Sequence, residues 1–84
     1  MKLIWSEQAW GDYLYWQETD KRMVKKVNEL INEIRRTPFE GKGKPEPLRH
    51  NLAGFWSRRI TAEHRLVYSM RDGALLIAAC RYQY

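Results

Sequence analysis

The segment from Lys21 to Thr37 constrains this chain more than any other. Met23, Val24, Val27, Leu30, Ile31 and Ile34 recur at spacings of one, three and four residues, with Lys25, Lys26, Asn28, Glu29, Asn32 and Glu33 opposite them. That spacing predicts a helix with one buried stripe and one wet face. Arg35 and Arg36 fall in its last turn, where cations complement the negative end of the helix dipole, and Pro38 prevents continuation. A second helix is predicted just before it, from about Glu7 to Glu18, with Ser6 as its cap. Its apolar side is Ala9, Trp10, Tyr13, Leu14 and Trp16 or Gln17, with Gly11 as a weak spot. Thr19 and Asp20 offer a cap between the two helices, so they form an α-hairpin with a shared apolar side, and Trp5, Trp10 and Trp16 are expected in the core.

The remaining elements read as strands and loops. Lys2 to Trp5 is short and β-favouring. The stretch from Phe39 to Pro47 holds two glycines and two prolines and is expected to be a loop, with a further turn around Arg49 to Gly54. Phe55 to Ile60, Arg65 to Met70 and Ala74 to Tyr82 read as strands, the last two joined by Asp72-Gly73, a pair that favours the positive backbone angles of a tight hairpin. The run from Leu75 to Cys80 is apolar throughout, which suits a central strand covered on both faces, partly by a second subunit. The expectation is one α+β domain over residues 1–84, with an N-terminal strand and an α-hairpin packed on an antiparallel sheet.

With 84 residues there is room for one modest core and no separate cofactor-binding lobe. No apolar run is long enough for a signal peptide or a membrane span, so a cytoplasmic protein without membrane contact is expected. Cys80 is the only cysteine, which excludes an intramolecular disulfide, and its apolar neighbours suggest a buried thiol. The formal charge is +5 and lies mostly in the second half, where residues 38–84 carry eight Lys or Arg against four Asp or Glu. A compact basic surface attracts polyanions: RNA, DNA, the ribosome or an acidic protein segment.

Gly41-Lys42-Gly43-Lys44 lacks the spacing and the Ser/Thr of a nucleotide-binding loop, and reads better as a basic loop touching an RNA backbone. Cys80, His50 and His64 lack the paired spacing of metal ligands, and Ser57 and Ser69 lack a plausible His/Asp arrangement for nucleophilic catalysis, so no cofactor or metal is expected. What remains is a charged set on or beside strands: Glu46, Arg49, His50, Arg58, Arg59, Glu63, His64, Arg65 and Arg81, ending in Tyr82-Gln83-Tyr84. Metal-free RNA cleavage needs a base for the 2′-hydroxyl proton, cations for the phosphorane and a proton donor for the departing 5′-oxygen. The set can supply the first two, or it can be a salt-bridged sheet surface with no chemistry.

Four stretches carry a family pattern: Thr37 to Leu48, Gly54-Phe55-Trp56-Ser57-Arg58-Arg59-Ile60, Glu63-His64-Arg65-Leu66-Val67-Tyr68 and Cys80-Arg81-Tyr82-Gln83-Tyr84. Together with Lys2 to Ser6 and Tyr13 to Gln17, they make the whole chain resemble the YoeB branch of the RelE/ParE toxin superfamily. The resemblance implies a microbial-ribonuclease-like α+β fold, a homodimer, and cleavage of mRNA in the A site of the 70S ribosome. It also implies restraint by a YefM-like antitoxin with an acidic tail, and contact with operator DNA only through the antitoxin complex. By position, Glu46 matches the general base, Arg65 the arginine that stabilises the transition state, and Tyr84 the terminal tyrosine. Arg59 and Glu63 match residues lining the same site, Arg49 stands where the family has a basic residue, and Lys44 belongs to the basic loop expected on RNA.

One position departs from the pattern, because Gln83 stands where the family has a histidine as general acid. A carboxamide has no proton to give near neutral pH, although its NH₂ can still hydrogen-bond to a phosphate or leaving oxygen. Reduced but nonzero cleavage is therefore expected, with Tyr84, His50 and His64 as substitute donors. Two further readings stay open: a catalytically silent ribosome- or RNA-binding module that still binds its antitoxin, and a transcriptional partner that helps an antitoxin hold operator DNA.

Overall fold

In the computed structural model, which describes residues 1–82, the amphipathic segment forms helix α2 over Lys21–Arg36, and Met23, Val27, Leu30, Ile31 and Ile34 are its buried residues. Helix α1 covers Glu7–Thr19. The Ser6 hydroxyl oxygen accepts from the Ala9 N–H at 3.0 Å and its proton goes to the Ala78 carbonyl at 2.8 Å. Asp20 joins the helices: its N–H closes α1 on the Trp16 carbonyl, and its carboxylate caps α2 through the Arg22 N–H at 3.0 Å.

The strands are β1 (Lys2–Trp5), β2 (Glu46–Pro47), β3 (Trp56–Arg59), β4 (Arg65–Arg71) and β5 (Ala74–Ala79), with a 3₁₀ turn at His50–Leu52. They form one sheet in the order β1-β5-β4-β3-β2. Leu66, Tyr68, Leu75 and Ile77 meet the stripes of both helices to make the core. The turn at Asp72-Gly73 has φ of 49° and 74°, the positive angles that this dipeptide accommodates readily.

The α+β class holds, and four details differ from the sequence expectation. β1 does not sit beside an antiparallel sheet but joins it, pairing in parallel with β5 from Lys2↔Ala74 to Trp5↔Ile77, so the sheet is mixed. Both helices and the strands β2 to β4 lie between these two in the chain, which gives more than the length of connection that a parallel pair requires. Glu46 and Pro47 are not loop but a two-residue edge strand against Ser57 and Trp56, a place where proline's missing N–H costs no ladder bond. β5 ends at Ala79 and not at Tyr82, because the next N–H and C=O leave the ladder: Cys80 N–H donates to the Asp12 carboxylate (3.0 Å), and its carbonyl accepts from the Trp16 indole (2.9 Å). Burial pushes the Asp12 carboxyl up, against the opposing pull of that Cys80 N–H. Trp16 is buried and Trp5 half-buried, but Trp10 is 47% exposed. The inward side of α1 is taken by Ala9 and Trp16, and Trp10 packs instead edge-on to Trp5 and beside Tyr13 at the surface.

The loop between α2 and β2 is fixed by a cation with no solvent exposure. The Arg58 guanidinium donates to the carbonyls of Thr37, Glu40 and Lys42 and to the Tyr68 hydroxyl, which in turn donates to the Pro38 carbonyl at 2.7 Å. Thr37 caps the C-terminus of α2, so the buried charge sits at the negative end of that helix. Burial pushes the Tyr68 phenol up, with Arg58 opposing, and the neutral hydroxyl can donate. Gly43 completes the closure: its carbonyl accepts from Arg59 N–H at 2.7 Å. A Cβ at Gly43 would lie 3.0 Å from Arg58 Cβ and 3.1 Å from the Arg59 carbonyl, on a backbone with φ of 85°.

Arg58→Lys is expected to lower unfolding free energy by about 3 kcal/mol, since one ammonium cannot reach all four acceptors and buried carbonyls are left unpaired. Urea unfolding checks this. A midpoint equal to that of the parent chain would remove the guanidinium from its structural role.

Candidate active site

Strand register decides which charged residues meet. Across β2 and β3 Glu46 faces Ser57, and across β3 and β4 Arg59 faces Arg65. Directly opposed residues project from the same side of a sheet, and positions two apart along a strand share it, so Glu46, Ser57, Arg59 and Arg65 occupy one face. Arg58, Leu66 and Tyr68 occupy the other, toward the helices. The two adjacent arginines of β3 therefore have opposite fates: Arg58 is fully buried and Arg59 is exposed.

On that face Arg65 Nη1 lies 3.3 Å from Glu46 Oε1. The arginine side chain is 18% exposed and the carboxylate 52%, so a stem held by the sheet presents its cation to an accessible acid. A pair this exposed contributes little to stability, on the order of 0–1 kcal/mol. Arg65 is also held by a residue that sequence reasoning passed over as a nucleophile without partners: its Nη1 donates to the buried Ser57 hydroxyl at 3.1 Å. The register of β3, two residues before Arg59, is the signal that would have found Ser57.

The other expected residues surround this pair. A groove of about 510 Å³ is lined by Glu46, Pro47, Leu48, Arg49, His50 and Leu52, which brings Arg49 and His50 to the Glu46 side. Lys44 and His50 carry left-handed backbones, φ 51° and 61°, and bracket β2. Such conformations are costly for residues with a Cβ and often attend functional sites. Glu63 is exposed on the β3–β4 turn, where its N–H and that of His64 donate to Thr61 Oγ1 at 3.2 Å. His64, another of the suggested donors, is held from two sides. Its ring stands edge-on to Trp16 at 4.8 Å and its Nδ1 is occupied by the Tyr82 N–H at 2.7 Å. Arg81 lies between the rings of Tyr15 (3.5 Å) and Tyr82 (4.5 Å). Gln83 and Tyr84, also expected in the site, lie outside the described residues. A larger groove, about 640 Å³, runs along the helices by Gln17, Lys21, Val24, Lys25, Asn28 and Glu29, and none of the expected site residues lines it.

Among the described residues no group of three or more His, Cys, Asp or Glu side chains is placed to hold a metal ion, and no helix is long and apolar enough to cross a membrane. The arrangement offers an accessible carboxylate, a guanidinium fixed beside it and a basic rim: the parts needed to move a proton next to a phosphodiester and to stabilise added negative charge there.

Comparison with known proteins gives a consistent result. A family model for the YoeB-like toxin of bacterial type II toxin–antitoxin systems matches residues 5–84. Toxin YoeB of Escherichia coli (strain K12) is 80% identical over 84 residues, covering 100% of both chains. Among solved structures, a YoeB/ParE toxin from Agrobacterium tumefaciens aligns at a TM-score of 0.96 with 56% identity, covering 100% of both chains. A YoeB dimer from Staphylococcus aureus aligns at 0.93, and a heterotetrameric YoeB–YefM toxin–antitoxin complex from that organism at 0.92, each with 52% identity over 100% of this chain and 98% of the other. None of these lends support to an attenuating exchange at Gln83.

Cys80 is no nucleophile in this setting: it is buried, its thiol is 3.7 Å from the Ala9 carbonyl, and burial, with the Asp12 charge adding to it, pushes it up to about 12. At about pH 8 the native chain is expected to react with iodoacetamide at least about 100-fold more slowly than the urea-unfolded chain. Equal rates by mass spectrometry would show that the thiol is accessible.

Proposed function

The chain belongs to the YoeB-like toxins of bacterial type II toxin–antitoxin systems, and from that premise we propose that it is a metal-independent endoribonuclease. In this reading it cuts mRNA in the ribosomal A site and so stops translation. The observation that carries the proposal is the 3.3 Å contact between a carboxylate on β2 and a guanidinium on β4, far apart in the chain.

The chemistry follows from those two groups. Glu46 takes the proton of the 2′-hydroxyl, the 2′-oxygen attacks phosphorus, and the bond to the 5′-oxygen breaks; that oxygen takes a proton from water, leaving a 2′,3′-cyclic phosphate and a 5′-hydroxyl, and Glu46 returns its proton to solvent. Arg65 stabilises the negative charge that builds on the phosphoryl oxygens. Without substrate the two side chains neutralise each other; a phosphodiester entering between them takes over the guanidinium and leaves the carboxylate free to accept a proton. Ser57 keeps Arg65 in place during that exchange. Lys44, Arg49 and Arg59 track the RNA backbone, and Glu63 lines the site. Gln83, whose amide can donate to the leaving oxygen, and Tyr84, which can stack on a base, join by their place in the family pattern.

The assembly belongs to the same proposal. In Staphylococcus aureus the relatives form a YoeB dimer and a YoeB–YefM complex. This chain carries a charge of +5, suited to an acidic antitoxin segment, and leaves Trp10 and Leu14, one helical turn apart on α1, exposed for a second copy. Operator DNA is reached through the antitoxin complex, and the setting is the cytoplasm, where mRNA is translated.

Primer extension on translated mRNA tests the reading. Glu46→Ala should cut the single-turnover rate by about 10²–10⁴ with ribosome affinity nearly unchanged. Arg65→Ala should act in the same step without unfolding the chain, whereas loss of activity in Arg58→Ala should follow loss of folded protein. Ribosome binding without new 5′ ends in the parent chain would replace the nuclease by a silent binding module.

A further inference from the structure

Beyond β5 the chain runs on without a strand partner, yet its backbone polar groups are held one after another by side chains. Ser6, the cap of α1, holds the Ala78 carbonyl near the end of β5, and Asp12 and Trp16 of α1 hold the Cys80 N–H and carbonyl just past it. At Tyr82 the grip passes to β4: the Arg65 N–H donates to the Tyr82 carbonyl at 3.0 Å, and the Tyr82 N–H donates to His64 Nδ1 at 2.7 Å. His64, just before β4, and Arg65, its first residue, thus hold both polar groups of Tyr82, which has a left-handed φ of 63°. A conformation of that kind persists in a non-glycine residue only when its surroundings over-determine it.

The donor at Nδ1 is an amide, so that nitrogen must be unprotonated. In a neutral ring the proton is then on Nε2, and a doubly protonated ring has no acceptor left for Tyr82. Trp16 stands edge-on to the ring and fixes its plane. The charged groups about it are Asp12 from α1, which interacts with both His64 and Arg81, then Arg65 and Glu63 beside it in the chain, and Arg81 of the held segment. The phenols there are Tyr15 on α1 and Tyr82.

We propose that His64 is a positioning residue: its neutral imidazole latches the backbone of Tyr82 to the strand that presents Arg65, which keeps Arg65 in place for the reaction, and the latch opens when the ring is protonated. This rests on the nuclease reading above. The sign is fixed by the hydrogen bond, since an Nδ1 acceptor exists on the neutral ring and is lost when the ring takes a second proton. His64 touches no substrate; it acts through the backbone of Tyr82.

The test compares the full chain with His64→Asn, whose Oδ1 can accept from the same N–H and does not titrate, and with His64→Leu, which offers no acceptor. Single-turnover cleavage on programmed ribosomes, from about pH 8 down to about pH 6, should fall for the parent as imidazole protonates. His64→Asn should be nearly flat over that span and within about threefold of the parent at the upper end. His64→Leu should be about tenfold slower throughout, with ribosome affinity unchanged. In parallel, the ¹⁵N-edited amide signal of Tyr82 should move with imidazole protonation in the parent and stay put in His64→Asn. A Tyr82 amide indifferent to that protonation, or His64→Leu cleaving at the parental rate, would overturn the proposal. If the parent leaves no new 5′ ends, the nuclease reading falls, and the amide signal still decides whether the latch exists.

Discussion

The arrangement depends on a guanidinium that no water reaches. Arg58 lies at the C-terminal end of α2, where carbonyls at the end of a helix carry partial negative charge, and it takes up three main-chain carbonyls and one hydroxyl. A buried cation is expensive unless each of its donors is satisfied, and here neutral oxygens satisfy it. The consequence is positional. The eight residues between Thr37 and Glu46 would otherwise wander, and the same contacts that solvate Arg58 fold them back, so that β2 lies against β3 and Glu46 faces Ser57.

A second clamp works on the other flank of the same face. There α1 and its cap serve the segment after β5 as well as the core: Asp12 and Trp16, one turn apart, hold the N–H and carbonyl of Cys80, and Ser6 holds the Ala78 carbonyl near the end of β5. That explains why a helix rich in aromatics buries so few of them. Trp10 and Leu14 stay outside because the side of α1 that faces inward is already committed. Both clamps join a helix to an irregular segment through buried polar contacts, and between them lie β3 and β4, the strands that carry Ser57, Arg59 and Arg65.

Much of this was legible in the residues, and the parts that were not share a cause. The stripe of α2, its cap at Asp20 and the Asp72-Gly73 hairpin depend on neighbours in the chain, and their patterns survive folding intact. The convergence of Glu46 with Arg65 was expected from resemblance, and the geometry places the two in contact. The parallel pairing of β1, the strand at Glu46–Pro47, the early end of β5 and the exposure of Trp10 all depend on partners distant in sequence. Local composition is silent about those. Arg58 and Arg59 read alike in sequence, although strand alternation sends one into the core and the other into solvent. Ser57 was dismissed because it had no catalytic partners; what it has instead is an arginine to orient.

A site built in this way is accessible and shallow, and this shapes what it can do unaided. Its carboxylate is about half exposed, and its cation is matched to that carboxylate in the absence of substrate. An exposed pair in a high dielectric gives modest stabilisation to any charge that develops nearby, whereas the same groups covered by a partner act through a lower dielectric and count for far more. The fold holds Arg65 through Ser57 and Glu46 through the Arg58 loop, so both groups are positioned by the fold itself. It supplies no wall to exclude water from them. A surface of this design gains its power when something large closes over it, and an RNA held in place by a ribosome would bring both the substrate and the missing wall.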